Sequence, residues 1–303
     1  MSIGHYLKII GRGKDGARAL AREQAADLLG QVLDGNTGDL EVGAFCLAMR
    51  IKGETPEEMA GFLDALHQRL HLLPASASAG ATIVLPSYNG ARKLPLLTPL
   101  LALLLARAGL SVLIHGTPTE SSRIFISEVL AALDIRALTA ITSIAPGTVA
   151  FAPTELLCPA LKRLLDVRRV VGLRNPAHSL VKLMNPVAGK SLIVSSYTHP
   201  EYALSMAATF ELVAGNALLL RGTEGEGVAD ARRSPQMQGF IQGRRVLLDE
   251  GVKGTLPSVP DLPKEVDAAG TADFIRSVLA GSSPVPPSIA QQVEHILHLV
   301  DQL

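Results

Sequence analysis

The run Pro86-Ser87-Tyr88-Asn89-Gly90-Ala91-Arg92-Lys93 gathers a hydroxyl, an amide, a glycine and two cations directly after the apolar Ile83-Val84-Leu85. A glycine lets backbone N–H groups turn toward one point, and an adjacent arginine–lysine pair adds charge, so this run is equipped to hold an anion. A second run of similar character, His115-Gly116-Thr117-Pro118, follows the apolar Ser111-Val112-Leu113-Ile114. Ser121, Ser122 and Arg123 come next and are expected to open a helix, where free N–H groups would seat a phosphate. From Leu72 to Thr119 no acidic residue occurs, and neither loop carries a carboxylate. Both loops are therefore expected to face something anionic.

The elements that position these groups can be read around them. Ile83 to Gly116 is a strand, a loop, a Leu/Ala helix and a second strand, a βαβ unit, and open α/β sheets bind ligands at the carboxyl ends of such strands. Further Val/Ile/Leu runs at Leu192–Ser196 and Ala217–Leu220 flank an expected helix Pro200–Val213, the alternation of a mostly parallel sheet. Before Pro74 the chain reads as helical. Asp15 is expected to cap a helix from Gly16 to Leu33, and Leu40 to Arg50 forms the next. Thr55-Pro56-Glu57-Glu58 starts a third, with Thr55 as N-cap, proline at the first helical position and two acids toward the positive end of the dipole. The fold class is α/β: a small helical domain over residues 1–72 and a larger α/β domain over 80–303, with part of 159–190 packing on the helices. Gly11-Arg12-Gly13-Lys14-Asp15-Gly16 matches the dinucleotide fingerprint in letters only, because helices rather than strands surround it.

Composition bounds the function. With 48% hydrophobic residues in 303, the chain can bury a large core. Cys46 and Cys158 lack metal or redox spacing, no secretory segment is evident, and the longest apolar run is too short to span a bilayer, so a cytoplasmic protein without a membrane partner is expected. The 28 basic and 28 acidic residues cancel but are unevenly spread. Between Pro159 and Ile193 seven cations, Lys190 among them, face Asp166 alone, and Arg232, Arg233, Arg244 and Arg245 form another acid-free group. Such clustering suits a polyanion if the side chains share a face, and is mere solvation if they do not. With 4% aromatics and no Trp, stacking platforms are few, so backbone electrostatics should dominate any nucleic-acid binding.

Phe45-Cys46-Leu47-Ala48-Met49-Arg50-Ile51-Lys52-Gly53-Glu54-Thr55, with Gly61, Arg174 and Asn185-Pro186, resembles the anthranilate phosphoribosyltransferase family, glycosyltransferase family 3. The resemblance covers most of the chain and implies a helical domain joined to an α/β domain across a cleft. It also exposes departures. The family's Gly-Thr-Gly-Gly-Asp phosphate loop falls on Pro86-Ser87-Tyr88-Asn89-Gly90, its Asn-Ile-Ser-Thr on Leu96-Leu97-Thr98-Pro99, and its Lys-His-Gly-Asn-Arg on Ile114-His115-Gly116-Thr117-Pro118. The Asp-Glu pair that holds magnesium on phosphoribosyl pyrophosphate falls on Gly227 and Val228, with Glu226 and Asp230 nearby but out of register. Lys182 stands where the family has proline. In these changes the chain resembles a divergent, YbiB-type branch linked to DNA and RNA binding.

The resemblance implies a non-catalytic homodimer that binds DNA or RNA, single-stranded by preference, with little sequence specificity and with no cofactor or metal. Arg92, Lys93, Arg123, Arg174, Asn175, His178, Lys182 and Lys190 are the expected nucleic-acid contacts. Ser87, Asn89, Gly90, His115, Thr117, Ser121 and Ser122 are candidate phosphate contacts, and Tyr88 or Asn89 could meet a base. Arg174, Asn175, His178 and Lys182 have the spacing of one helical face. Two alternatives stay open: a working phosphoribosyl- or glycosyltransferase with an altered acceptor and Mg2+ with phosphoribosyl pyrophosphate, and a sensor of a phosphorylated metabolite.

Overall fold

The computed structural model describes residues 2–75, 80–120, 122–254 and 260–303. The chain begins with helices α1 (Gly4–Ile10), α2 (Gly13–Gly16), α3 (Arg22–Leu33), α4 (Asp39–Lys52) and α5 (Pro56–His67). The start of α5 follows its sequence signals: the Glu58 amide donates to Thr55 Oγ1 at 3.2 Å, and Glu58 Oε2 accepts from the Thr55 amide at 3.0 Å. The helix expected over Gly16–Leu33 starts only at Arg22, and Gly16 instead ends α2. Glu58, fully buried and ion-paired with Lys52, also accepts from the Leu20 amide at 2.9 Å. Residues between Ala17 and Ala21 therefore run extended, Leu20 enters the core, and α3 starts only at Arg22. Residues 11–16 lie at the junction of α1 and α2, with no strand beside them among the described residues.

The second part follows as β1 (Thr82–Pro86), α6 (Thr98–Arg107), β2 (Ser111–Gly116), α7 (Ile126–Ala132), β3 (Val149–Pro153), α8 (Thr154–Leu157), α9 (Pro159–Val171), α10 (Ala177–Leu180), β4 (Ser191–Tyr197), α11 (Pro200–Leu212) and β5 (Ala217–Arg221). A 3-10 turn at Thr223–Gly225, β6 (Met237–Ile241), β7 (Arg244–Asp249), α12 (Ala268–Leu279) and α13 (Pro287–Val300) complete it. The strands form one seven-stranded sheet in the order β3-β2-β1-β4-β5-β6-β7, parallel through β5 and antiparallel beyond it. Central strands are buried on both faces, which is why they read as unbroken apolar runs.

Two apolar clusters sandwich the sheet. One lies toward α6, α7, α12 and α13, and the other runs continuously into the helical domain through Leu161, Leu164, Leu180 and Leu183. Helices α9, α10 and α11 pack on α3 and α5, so residues 159–190 tie the two parts together. The sheet's connectivity reverses between β1 and β4, and a crevice at such a switch point is the usual ligand seat of an open α/β sheet. No helix among the described residues is long and apolar enough to cross a membrane.

Candidate functional site

The loop after β1 does hold an anion, and the anion belongs to the chain. Beyond β5 the backbone turns back so that Glu226, 1% exposed, enters the switch-point crevice. Its Oε1 accepts from the amides of Asn89 at 2.7 Å and Gly90 at 2.8 Å, and its Oε2 accepts from Ser87 Oγ at 2.5 Å and Thr98 Oγ1 at 3.4 Å. Glu224 does the same one step outward, accepting from the amides of Arg92 at 2.8 Å, Lys93 at 3.1 Å and Leu94 at 3.4 Å. The converging N–H groups form the anion nest expected of this loop, but two carboxylates occupy it. Gly90 has φ +68°, and a Cβ there would stand 2.8 Å from the Ile124 carbonyl oxygen, so only glycine makes the turn. Glu224 itself sits at φ 51°, a strained position for a non-glycine residue, held by the three amides its side chain engages.

Lys182 fastens this plug. Its Nζ donates to the Gly225 carbonyl at 2.8 Å and to the Ser196 carbonyl at 3.2 Å, while Ser196 Oγ donates to the same Gly225 oxygen at 2.7 Å. Burial pushes the Lys182 amine down to about 8, against the opposing pull of Glu226. Lys182 thus braces the loop from beneath while its side chain also borders the cleft between the helical and α/β parts, with its amine already engaged by two carbonyl oxygens.

Several other expected contacts are buried. Tyr88, 4% exposed, turns inward and its hydroxyl meets His115 Nδ1 at 2.8 Å and Thr154 Oγ1 at 2.9 Å. His115, within β2, is fully buried, and burial pushes it down to about 3, so it is a neutral group inside the sheet. Thr117 is 5% exposed and Asn175 likewise; the Asn175 amide donates to the Leu164 carbonyl at 2.7 Å and its oxygen caps Ala177 at 3.0 Å. Tyr88, His115 and Thr117 are turned into the core, while Asn175 borders the interdomain cavity with its side-chain amide and oxygen both engaged. Ser87, Asn89 and Gly90 are engaged by Glu226. The helix expected to open at Ser121-Ser122-Arg123 begins at Ile126, leaving Ser122 and Arg123 in a loop; Ser121 lies outside the described residues. Lys190 precedes β4 and lies at the amino edge of the sheet, opposite the other candidates, so it drops out of the groove.

What remains gathers around one cleft. A cavity of about 550 Å3 between the helical and α/β parts is lined by Arg50 and Glu54 from the end of α4, Arg174 and His178 beside α10, and Tyr197 and Tyr202. Arg174 has no partner among the described residues, and burial with repulsion from Arg168 and Arg123 lowers its pKa. His178 Nδ1 is engaged by Asn175, but its buried Nε2 has no partner among the described residues. Burial, then the Arg174 charge, holds that imidazole down to about 4, so it is neutral at physiological pH. Glu120, which sequence reasoning missed, organises the flank: Arg123 Nε donates to it at 2.7 Å and Arg168 Nη2 at 2.5 Å, and these bonds hold its carboxyl down to about 2. Arg92 and Lys93 are exposed with unpartnered side chains among the described residues.

The family's magnesium site does not fit these residues. Gly227 and Val228, where the acid pair would fall, are buried and carry no side-chain oxygen, and their carbonyl oxygens accept from Gln292 and Thr223. Glu226 and Glu224 are consumed by amides and hydroxyls, and Asp230 accepts from Arg232 through both oxygens at 3.0 and 2.7 Å. Among the described residues no group of three or more His, Cys, Asp or Glu is arranged to hold a metal ion.

A helical domain, a switch-point sheet and an interdomain cleft define a class of protein, and comparison agrees with it. Residues 5–69 match the helical bundle domain of a glycosyl transferase family. The chain is 39% identical to YbiB of Escherichia coli (strain K12) over 97% of its own length and 92% of that protein's. It is 27% identical to an anthranilate phosphoribosyltransferase of Salinispora arenicola over 87% of its length and 77% of that protein's. It belongs to the anthranilate phosphoribosyltransferase family, glycosyltransferase family 3. In fold it is similar to the anthranilate phosphoribosyltransferase of Thermus thermophilus, with TM-score 0.69, 22% identity, and 94% and 84% of the two chains covered. It is equally similar in fold to the Saccharomyces cerevisiae enzyme solved in complex with PRPP and Mg, with TM-score 0.69, 14% identity, and 98% and 88% covered.

Proposed function

We propose that this protein is a non-catalytic, homodimeric nucleic-acid-binding member of its family, with little sequence preference. One observation carries the reading. The nest that would receive a pyrophosphate is filled by Glu224 and Glu226, while Arg92, Lys93 and Arg174 keep charges without partners among the described residues. A transferase that bound phosphoribosyl pyrophosphate would have to expel two carboxylates and find a new metal site, losing the charge neutralisation that such a leaving group needs. Exposed cations around a cleft suit a backbone of repeated phosphates, which is recognised by charge and not by base identity.

Support for the dimer comes from α4. Leu40, Ala44, Leu47 and Ile51 recur at heptad spacing on its exposed side, and Leu40 is 91% and Ile51 63% exposed. A second copy of the same seam is the partner such a stripe fits. The unpartnered His178 Nε2 and Arg174 in the cleft favour one other reading, a sensor of a small phosphorylated metabolite. Binding of single-stranded DNA and RNA at two salt concentrations, beside a small phosphate ester, separates the two. Salt-sensitive polymer binding supports the proposal, and binding of the ester alone replaces it.

A further inference from the structure

The interdomain cleft is not the only cavity at the carboxyl edge of the sheet. A second, of about 920 Å3, opens between the loop after β1, the end of β5 and the segments flanking β6 and β7. Lys93, Arg221, Arg233 and Lys253 line it. Its three acids, Glu224, Asp230 and Glu250, are outnumbered by five cations once Arg232, paired with Asp230, is counted with the other four. Its net charge is therefore cationic. Lys253, remote from Lys93 in sequence, shares this cavity with it through the fold.

Tyr197 lines both cavities. It ends β4, and its register partner on β5 is Arg221, so both side chains leave the sheet on the same face at its ligand edge. Arg221 is exposed and has no partner among the described residues, and the Tyr197 ring feels the charges of Arg221 and Arg245. Tyr197 is half-buried, partly packed on the apolar core and without a hydrogen-bond partner among the described residues; Tyr6 and Tyr88 are buried, and Tyr202, also half-buried, lines the first cavity but not the second. An aromatic ring between two cationic hollows is the arrangement that takes a base on the ring and phosphates on either side.

Resting on the nucleic-acid reading above, we infer that a single strand passes from the interdomain cleft over Tyr197 into the second cavity, with a base stacked on Tyr197 and phosphates against Arg221 and Lys93. A duplex cannot use this ring, because its bases already stack on one another and present only edges and backbone. The path thus predicts preference for single strands.

The chain has four tyrosines and no tryptophan, so its intrinsic emission comes from tyrosine, and a stacked Tyr197 should be quenched. The probes are oligothymidylate and a duplex of equal length, titrated into the full-length protein at low salt. Tyr197→Leu should weaken oligothymidylate by about 5- to 150-fold, the range for losing one stacked base, and leave duplex affinity unchanged. Tyr197→Phe keeps the π face and should bind within about twofold of wild type while losing most of the quenching. Arg221→Ala should flatten the single-strand salt slope by about 0.7. Wild-type thermal midpoints for the Phe and Ala variants establish that they fold, so the result does not depend on the Leu variant. If oligothymidylate binds but none of these changes alters its affinity, quenching or slope, the path is wrong and the wider reading stands. If the wild type binds no nucleic acid at low salt, both fail.

Discussion

Replacing Glu226 tests whether the plug is a structural anion. Its carboxylate satisfies the buried amides of Asn89 and Gly90 and the hydroxyls of Ser87 and Thr98. Glu226→Ala leaves two buried N–H donors without an acceptor, each costing about 1–3 kcal/mol; water entering the vacated space recovers part of this, for a net loss of about 3 kcal/mol. In a chain of this size that lowers the thermal midpoint by roughly 5–10 °C. Glu226→Gln keeps an oxygen for both amides and loses only the charge assistance, so it should cost about 1–2 kcal/mol. The vacated nest should then accept a free anion. Inorganic pyrophosphate should raise the midpoint of the Ala variant, by mass action, and leave the wild type unmoved. Differential scanning calorimetry with and without pyrophosphate reads all three. A Glu226→Ala variant as stable as wild type, or a wild type stabilised by pyrophosphate as strongly as the variant, would refute the reasoning.

Lys182 gives a pH signature. Its amine is held at about 8 when folded against 10.5 for the free side chain, so between these values the unfolded chain carries the extra proton and stability attributable to this group rises with pH. Chemical denaturation of wild type and Lys182→Met should therefore show the difference shifting in favour of wild type from pH 8 to 10.5; a pH-independent difference speaks against a buried brace. Leu47→Asp, placed in the exposed α4 stripe, should convert a dimer to a monomer at micromolar concentration without loss of helix content. Sedimentation showing the wild type already monomeric removes that interface.

Some elements were legible from local signals alone. Thr55-Pro56-Glu57-Glu58 carries its own cap chemistry, and the apolar runs of β1, β2, β4 and β5 are buried on both faces, so neighbours in sequence were enough. The site was harder because its decisive contacts are distant. Glu226 meets Asn89 across 137 positions and Glu58 straightens the chain at Leu20 across 38, and neither pairing leaves a local trace. Lys190 belonged to a basic run in one dimension, yet the strand that begins after it sends the run to opposite edges of the sheet. Tyr88 looked like a loop aromatic, but a buried histidine and threonine draw its hydroxyl inward. The signal available for the plug was Thr223-Glu224-Gly225-Glu226-Gly227: two acids interleaved with glycines, facing a stretch of 48 residues without any acid.

The central claim, that unpartnered cations at the carboxyl edge hold a phosphate backbone, is tested most directly by the salt dependence of single-strand binding in Arg92→Ala/Lys93→Ala. These substitutions remove side chains only, so the backbone amides that hold Glu224 remain. Lys190→Ala, at the amino edge, is the comparison. Two phosphate contacts at roughly 0.7 each predict a log–log slope flatter by about 1.4 in the double variant, similar for different sequences, with the Lys190 variant matching wild type. Equal slopes for wild type and double variant, or a larger change in the Lys190 variant, would contradict the account.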